Sequence, residues 1–526
     1  MYDYVIVGSG SSGSVLAARL SADPAVRVLV LEAGGSDRHL YVQIPAAFVR
    51  LGGPRFNWGF ETEPQRNMNG RRMYLPQGRL LGGGSSINAM VYIRGNAADY
   101  DGWAQQGNRG WSYRDVLPYF RRAEHNERWD NEFHGRSGPL NVCDPLGPNP
   151  LTRRFVEAAV QAGLPANPDF NGAAQEGAGI YQVTQKNGRR MSAARPYLRP
   201  AMRRPNLTVV TGALALRVVF EKDRAIGVEY AVGNATAIAR AEREVIVAAG
   251  AINSPKLLLL SGIGPADDLR RLGLPIVADL PGVGRNLQDH LDINIIARVS
   301  EPVSYNGRDR GLPALLSAAR WMVKRDGPAA SNVAEGGGFT KSHPRVNAPD
   351  IQFHFLPAMV IEHGRVRAAG HGVTLHTNCL RPESRGQVRL VSADPRDQPA
   401  VDPNYLSAKA DLDVLLEALK RGRAILNAPA MRKIVDSELY PGPDARSDAD
   451  LIDFIRRAAE TDYHPAGTCR MGVDLEAVVD PNLRVRGVEG LRVCDSSIMP
   501  ALVSGNTNAP SIMIGEKGAD LIRGPR

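Results

Sequence analysis

Cysteine is scarce. Cys143, Cys379, Cys469 and Cys494 are the only four in a chain of 526 residues, and they stand far apart. With no CxxC pair and no ligand-like spacing, they argue against a disulfide framework and a metal centre, and they fit a reducing compartment. Aromatic residues amount to 6%, and no basic stripe is interleaved with them, so nucleic acid is not an expected partner. Long apolar runs are missing too: the longest, such as residues 245–249, fall far below the ~20 residues that span a bilayer. The first residues carry no basic n-region, so no signal peptide is expected. The chain reads as cytoplasmic, with at most a peripheral contact on the inner face of the membrane.

Apolar residues make up 43% and charged residues 23%, which excludes general disorder and collagen-like order. Glycine is plentiful at 54 residues, a sign of tight turns and close backbone approaches. The net charge of +9 is a weak signal when spread over this length. The length itself predicts two or more domains.

The opening is more specific. The β-branched run from Tyr4 to Val7 enters Gly8-Ser9-Gly10-Ser11-Ser12-Gly13, and a helical pattern follows from Ser14. A second apolar run, Arg27-Val-Leu-Val-Leu, ends at Glu32, 19 positions after Gly13. Strand, glycine turn, helix, strand and acid in this order form the dinucleotide fingerprint. Its glycines admit a pyrophosphate to a helix N-terminus, and its acid accepts from an unphosphorylated ribose. FAD or NAD therefore fits, and NADP does not.

Residues 34–150 are loop-rich. Strand signals return at Leu207–Thr211 and in the alternating stretch 215–230. A buried strand runs from Glu244 into Gly250, and Ser254-Pro255 is expected to start a helix, with Pro at its first position. From about residue 295 to 455 the pattern changes to strands at Ile351–Leu356, 373–379 and 386–390 mixed with a helix over 411–427, as in an antiparallel sheet with helices on one side. Leu491-Arg-Val-Cys-Asp495 reads as a final strand and 511–522 as a closing helix.

Two further glycine-serine clusters, Gly78-Arg-Leu-Leu-Gly82-Gly83-Gly84-Ser85-Ser86-Ile87-Asn88 and Gly250-Ala-Ile-Asn-Ser-Pro255 through Gly264, decide between the dinucleotides. Together with Tyr463-His464-Pro-Ala-Gly-Thr-Cys-Arg470-Met-Gly472 and Asn506-Thr-Asn508-Ala-Pro510, they make the chain resemble the glucose–methanol–choline (GMC) flavin oxidoreductases over essentially its whole length. The resemblance implies an α/β, two-domain fold, a Rossmann-like FAD-binding domain with an α+β substrate domain. It assigns residues 1–152, 203–294 and 462–526 to the former and 153–202 and 295–461 to the latter. Similarity is greatest to the membrane-associated alcohol dehydrogenases of alkane oxidation and to choline dehydrogenases.

The resemblance also implies site residues. Gly8, Gly10, Ser11, Ser12, Gly13, Glu32 and Ala33 would hold the adenosine diphosphate half of FAD. Gly82, Gly83, Ser85, Asn88, Ala89 and Ala215 would bind further along the cofactor, with Asp495, Asn508 and Pro510 near the flavin. Some family members attach FAD covalently through a histidine at the position of Ile87; isoleucine forms no such bond, so non-covalent FAD is expected.

Of ten histidines, His464 is the expected base for a substrate hydroxyl, since a neutral imidazole suits proton abstraction near pH 7. Asn508 is expected to donate to the substrate oxygen. His125, His134 and His363 read as packing or surface residues; His354 could face a substrate cavity, but packing is the favoured reading. The implied activity is oxidation of primary, aliphatic alcohols, with electrons passed to a quinone or similar acceptor. Choline dehydrogenase, oxygen-using alcohol oxidase and hydroxynitrile lyase are the competing readings.

Overall fold

Val-rich strands with buried faces on both sides need parallel neighbours and helical cover, and the first sheet has both. In the computed structural model, which describes residues 1–366 and 368–524, Tyr2–Val7 lies parallel to Val28–Glu32 on one side and to the end of Ala235–Val247 on the other. Leu207–Thr211 and Leu491–Val493 extend the sheet at either side. The start of Ala235–Val247 pairs antiparallel with Arg224–Val232, which pairs with Ala213–Glu221. The alternating stretch around 215–230 is thus a hairpin. Helix Ser11–Leu20 packs over this sheet, and Asn508–Arg523 packs against that helix.

The glycine turn works by close approach. A Cβ on Gly8, whose φ is +96°, would meet the Ala248 carbonyl oxygen at 2.4 Å, and one on Gly13 would meet that of Gly8 at 2.0 Å. Only glycine fits either place.

The second seven-stranded sheet is antiparallel. Its order is Val435–Tyr440, Leu291–Val299, Gly372–Cys379, Ile351–Leu356, Gly336–Thr340, Gly177–Ile180, with Glu460–Thr461 paired to the start of Leu291–Val299. Period-two alternation divides its side chains. Ile293, Ile295, Phe353, Phe355, Val373 and Leu375 join one core with Leu415, Ala418 and Leu419 of helix Lys409–Leu426. The intervening Asp292, His354 and His376 face the other way. Gly422 lets that helix sit close, since its Cβ would lie 2.7 Å from Ile295 Cδ1.

The structure differs from the sequence reading in two places. The 386–390 segment lies outside the second sheet, as Gly386–Arg389 between Arg285–Leu287 and Ala400–Asp402. The helix expected to begin at Ser254-Pro255 begins at Gly250, with Pro255 inside it. Pro255 has no N–H for the Ala251 carbonyl, and the Thr468 hydroxyl donates to that carbonyl instead at 2.6 Å. Among the described residues, no helix is long and apolar enough to cross a membrane.

Candidate active site

A cavity of about 430 Å³ runs from the glycine turn to the polar face of the second sheet. At one end, Gly10 and Ser11 open the Ser11–Leu20 helix, whose N-terminus has no side-chain cap. A Cβ on Gly10 or Gly84 would meet nothing within 4 Å. Uncapped amides facing open space suit an anionic group such as a pyrophosphate. The Glu32 carboxylate accepts from Ser9 N (3.0 Å), Ser9 Oγ (2.6 Å) and Gly34 N (2.8 Å). Burial pushes its pKa up, against these donors and Arg79. Three donors leave acceptor capacity for a ribose.

Most of the cofactor residues expected from sequence line this cavity. Gly8, Gly10, Ser11, Ser12, Glu32 and Ala33 do so at the turn; Gly83, Ser85, Asn88, Ala89 and Ala215 do so further along. Gly13, Gly82 and Pro510 are not on the wall. Gly13 packs behind it, Gly82 donates its N–H to Ser9 O at 3.0 Å, and Pro510 is buried in a helix. Asp495 reaches the wall, and its carboxylate accepts from Gly250 N, Ser254 Oγ and Ser497 N. It therefore caps the helix from Gly250.

At the other end, Asp289 shapes the loop that carries His464. Its buried carboxylate accepts from Thr461 Oγ1 (2.5 Å), Tyr405 Oη (2.5 Å) and His464 N (2.8 Å). Burial raises its pKa to about 6 despite these donors. Between the anchors Tyr463 adopts φ +69°, a region that costs a bulky side chain energy and that the surrounding bonds impose.

His464 then sits in a chain of imidazole and amide groups. His290 Nε2 is 3.0 Å from the Leu380 carbonyl, an acceptor, so that nitrogen carries the proton. The neutral ring accepts at Nδ1, where His464 Nδ1 lies 3.0 Å away and must donate. His464 Nε2 is left unprotonated, and its lone pair accepts from the Asn506 side-chain amide at 3.1 Å. Burial lowers the pKa of His464 to about 4 and that of His290 to about 3. The result is a neutral base with a fixed tautomer, aimed at the cavity.

Sequence reasoning missed both neighbours. Asn506 is the amide hydrogen-bonded to His464, and Asn508 lines the same cavity. Asn508 accepts from Ser11 Oγ at 2.7 Å, tying together the starts of two helices. His290 lies 174 positions away, in Gln288-Asp-His290, a cluster of polar residues just before a strand and the one local signal available. His354, read as packing, is in the cavity wall. Neither of its ring nitrogens has a hydrogen-bond partner among the described residues, and Nε2 is 3.6 Å from Asp462 Oδ2. His125 bonds the Arg136 carbonyl, and His134 lies between Glu124 and Asp169; the side chain of His363 lies outside the described ones.

The fold also gathers potential metal ligands that sequence spacing hides. His290, Asp462 and His464, and Asp292, His376 and Asp462, each bring ligand atoms within 4.8 Å of one another. Hydrogen bonds already use the facing atoms: His290 with His464, and His376 with Asp292. Burial lowers the His376 pKa, but Asp292 outweighs it and the net shift is upward. Asp462 is held low by the surrounding imidazoles, His464 first, against its burial.

Family models described as GMC oxidoreductase match residues 2–292 and 382–515. The chain belongs to the GMC oxidoreductase family. This GMC oxidoreductase is 49% identical over 530 residues to an alcohol dehydrogenase [acceptor] of Pseudomonas putida, covering 99% of this chain and 96% of that one. It is 48% identical over 533 residues to the mitochondrial choline dehydrogenase of Homo sapiens, at 99% and 90% coverage. A solved FAD-dependent oxidoreductase from Chaetomium thermophilum superposes with a TM-score of 0.91 at 30% identity, covering 99% of both chains. The protein is a flavoprotein oxidoreductase whose cofactor is FAD, and the uncapped helix, open glycines and Glu32 fit that group.

Proposed function

We propose that this enzyme oxidises primary aliphatic alcohols to aldehydes and passes the electrons to a quinone-type acceptor. Bound FAD would supply the hydride acceptor for the carbinol C–H. The observation that carries the reading is the Leu380–His290–His464–Asn506 chain. Its last imidazole nitrogen has the lone pair needed to take a hydroxyl proton, and its burial keeps that nitrogen unprotonated at neutral pH. The Asn506 amide is placed to donate to an oxygen on which negative charge develops. Ile87 offers no atom for a covalent link, so FAD is held by contacts alone. Met90, Val91, Val333, Leu356 and Val360 give the cavity an apolar side suited to an alkyl chain, and the alcohol dehydrogenase relative supports this choice.

One feature favours a second reading. Asp462 lines the cavity, and a carboxylate there suits the ammonium group of choline, in keeping with the choline dehydrogenase relative. Anaerobic flavin bleaching decides between them. Octanol is expected to bleach the flavin faster than choline, and the reverse order selects choline. His464→Ala should slow bleaching roughly 10²–10⁴-fold at full FAD content; an unchanged rate removes the base role.

A further inference from the structure

Helix Gly311–Lys324 is built with its apolar side outward. Leu312, Leu315, Leu316, Met322 and Val323 are 59% to 82% exposed, and at 100° per residue they fall on one face. Trp321 alone is buried, and it anchors the opposite face by donating Nε1–H to the Gly188 carbonyl at 2.6 Å. Five large apolar side chains on a single stripe exceed the scattered exposure normal for a surface. The helix has 14 residues, too few to cross a bilayer but enough to lie along one.

The surroundings are cationic. Residues 308–326 hold Arg308, Arg310, Arg320, Lys324 and Arg325 against Asp309 and Asp326. Arg189 and Arg325 approach the Trp321 ring, 5.8 and 4.1 Å from its centroid, and Arg50 donates to the Asp309 carbonyl. This charge fits an anionic surface. A second copy of the chain packed here about a twofold axis would set the same cations against each other.

We propose that this helix docks the enzyme on an anionic lipid bilayer, its apolar stripe among the acyl chains and the flanking cations at the headgroups. The docking face adjoins the cavity. Trp321 shares a small core with Ile44, Ala329 and Ala330, and the following Pro45–Arg50 turn brings Phe48 and Val49 to the cavity wall. A lipophilic reactant then enters from the membrane side. That purpose rests on the quinone-type acceptor proposed above; the docking itself does not.

The test is co-sedimentation of the FAD-loaded full chain with vesicles of phosphatidylcholine alone and of phosphatidylcholine with about one-third phosphatidylglycerol. The enzyme should sediment with the anionic vesicles and much less with the neutral ones. The Leu315→Glu/Val323→Glu double variant should bind the anionic vesicles at least roughly tenfold more weakly, with flavin content and octanol bleaching in solution unchanged. Arg320→Gln/Lys324→Gln should bind more weakly and with a shallower salt dependence. A wild-type enzyme left in the supernatant by both vesicles, or a double variant that sediments like wild type, overturns the proposal. So does a wild-type dimer that the double variant dissolves while neither binds vesicles. Bleaching is read without vesicles, so loss of the alcohol reading and loss of docking are seen separately.

Discussion

His464 gains as a base from its own burial. Taking the imidazole out of water disfavours the imidazolium and sets its pKa at about 4, with Asp462 opposing and His354 adding to the downward shift. The active form is neutral, so activity falls as pH drops through this pKa and is full above it. The acid limb of kcat/KM for the alcohol should therefore lie well below the ordinary histidine value of about 6.5, leaving the profile flat from about pH 5.5 upward on that side. Asp462→Asn removes the one group that raises the His464 pKa, so the limb moves to still lower pH. Stopped-flow flavin reduction from pH 3 to 9 checks both. A limb at 6.5 in the wild type, or an upward move in the variant, would contradict the assignment.

At the scale of elements, the helix from Gly250 tests how tertiary contacts override a local signal. Thr468→Val keeps the side-chain shape but removes the donor to the Ala251 carbonyl, which Pro255 cannot replace. The buried acceptor left unpaired should cost about 1–3 kcal/mol, read as a lower denaturant midpoint; Thr468→Ser, which restores the hydroxyl, should recover most of it. This helix start was illegible in the sequence for that reason, because Pro normally marks the first turn and its substitute partner lies 217 positions away from Ala251. The first βαβ unit was legible, since its signals are contiguous. His464 stood out in its own motif, but Asn506 and Asn508 sit two residues apart in one motif, and only the fold separates the amide facing the imidazole from the one joining two helices. The polar face of the second sheet was half visible: Gln352-Phe-His354-Phe alternates plainly, but which side meets a cavity depends on the helices that cover the other.

On the scale of the whole molecule, the cavity has walls from both large sheets. Val7 and Glu32 come from the first sheet, His354, Leu356 and His376 from the second. FAD bound there touches elements from both, so it stabilises their joint arrangement by binding the folded state and not the unfolded chain. At free FAD a hundredfold above its Kd this is worth about 2.7 kcal/mol. Flavin fluorescence, released on unfolding, and tryptophan fluorescence should then report one coincident transition in the FAD-loaded enzyme. The two signals should rise together in temperature as FAD is added to protein stripped of it. A stripped protein that melts where the loaded one does, or a flavin signal that appears well before the tryptophan transition, would mean that the cofactor rests on one sheet alone and does not hold the two together.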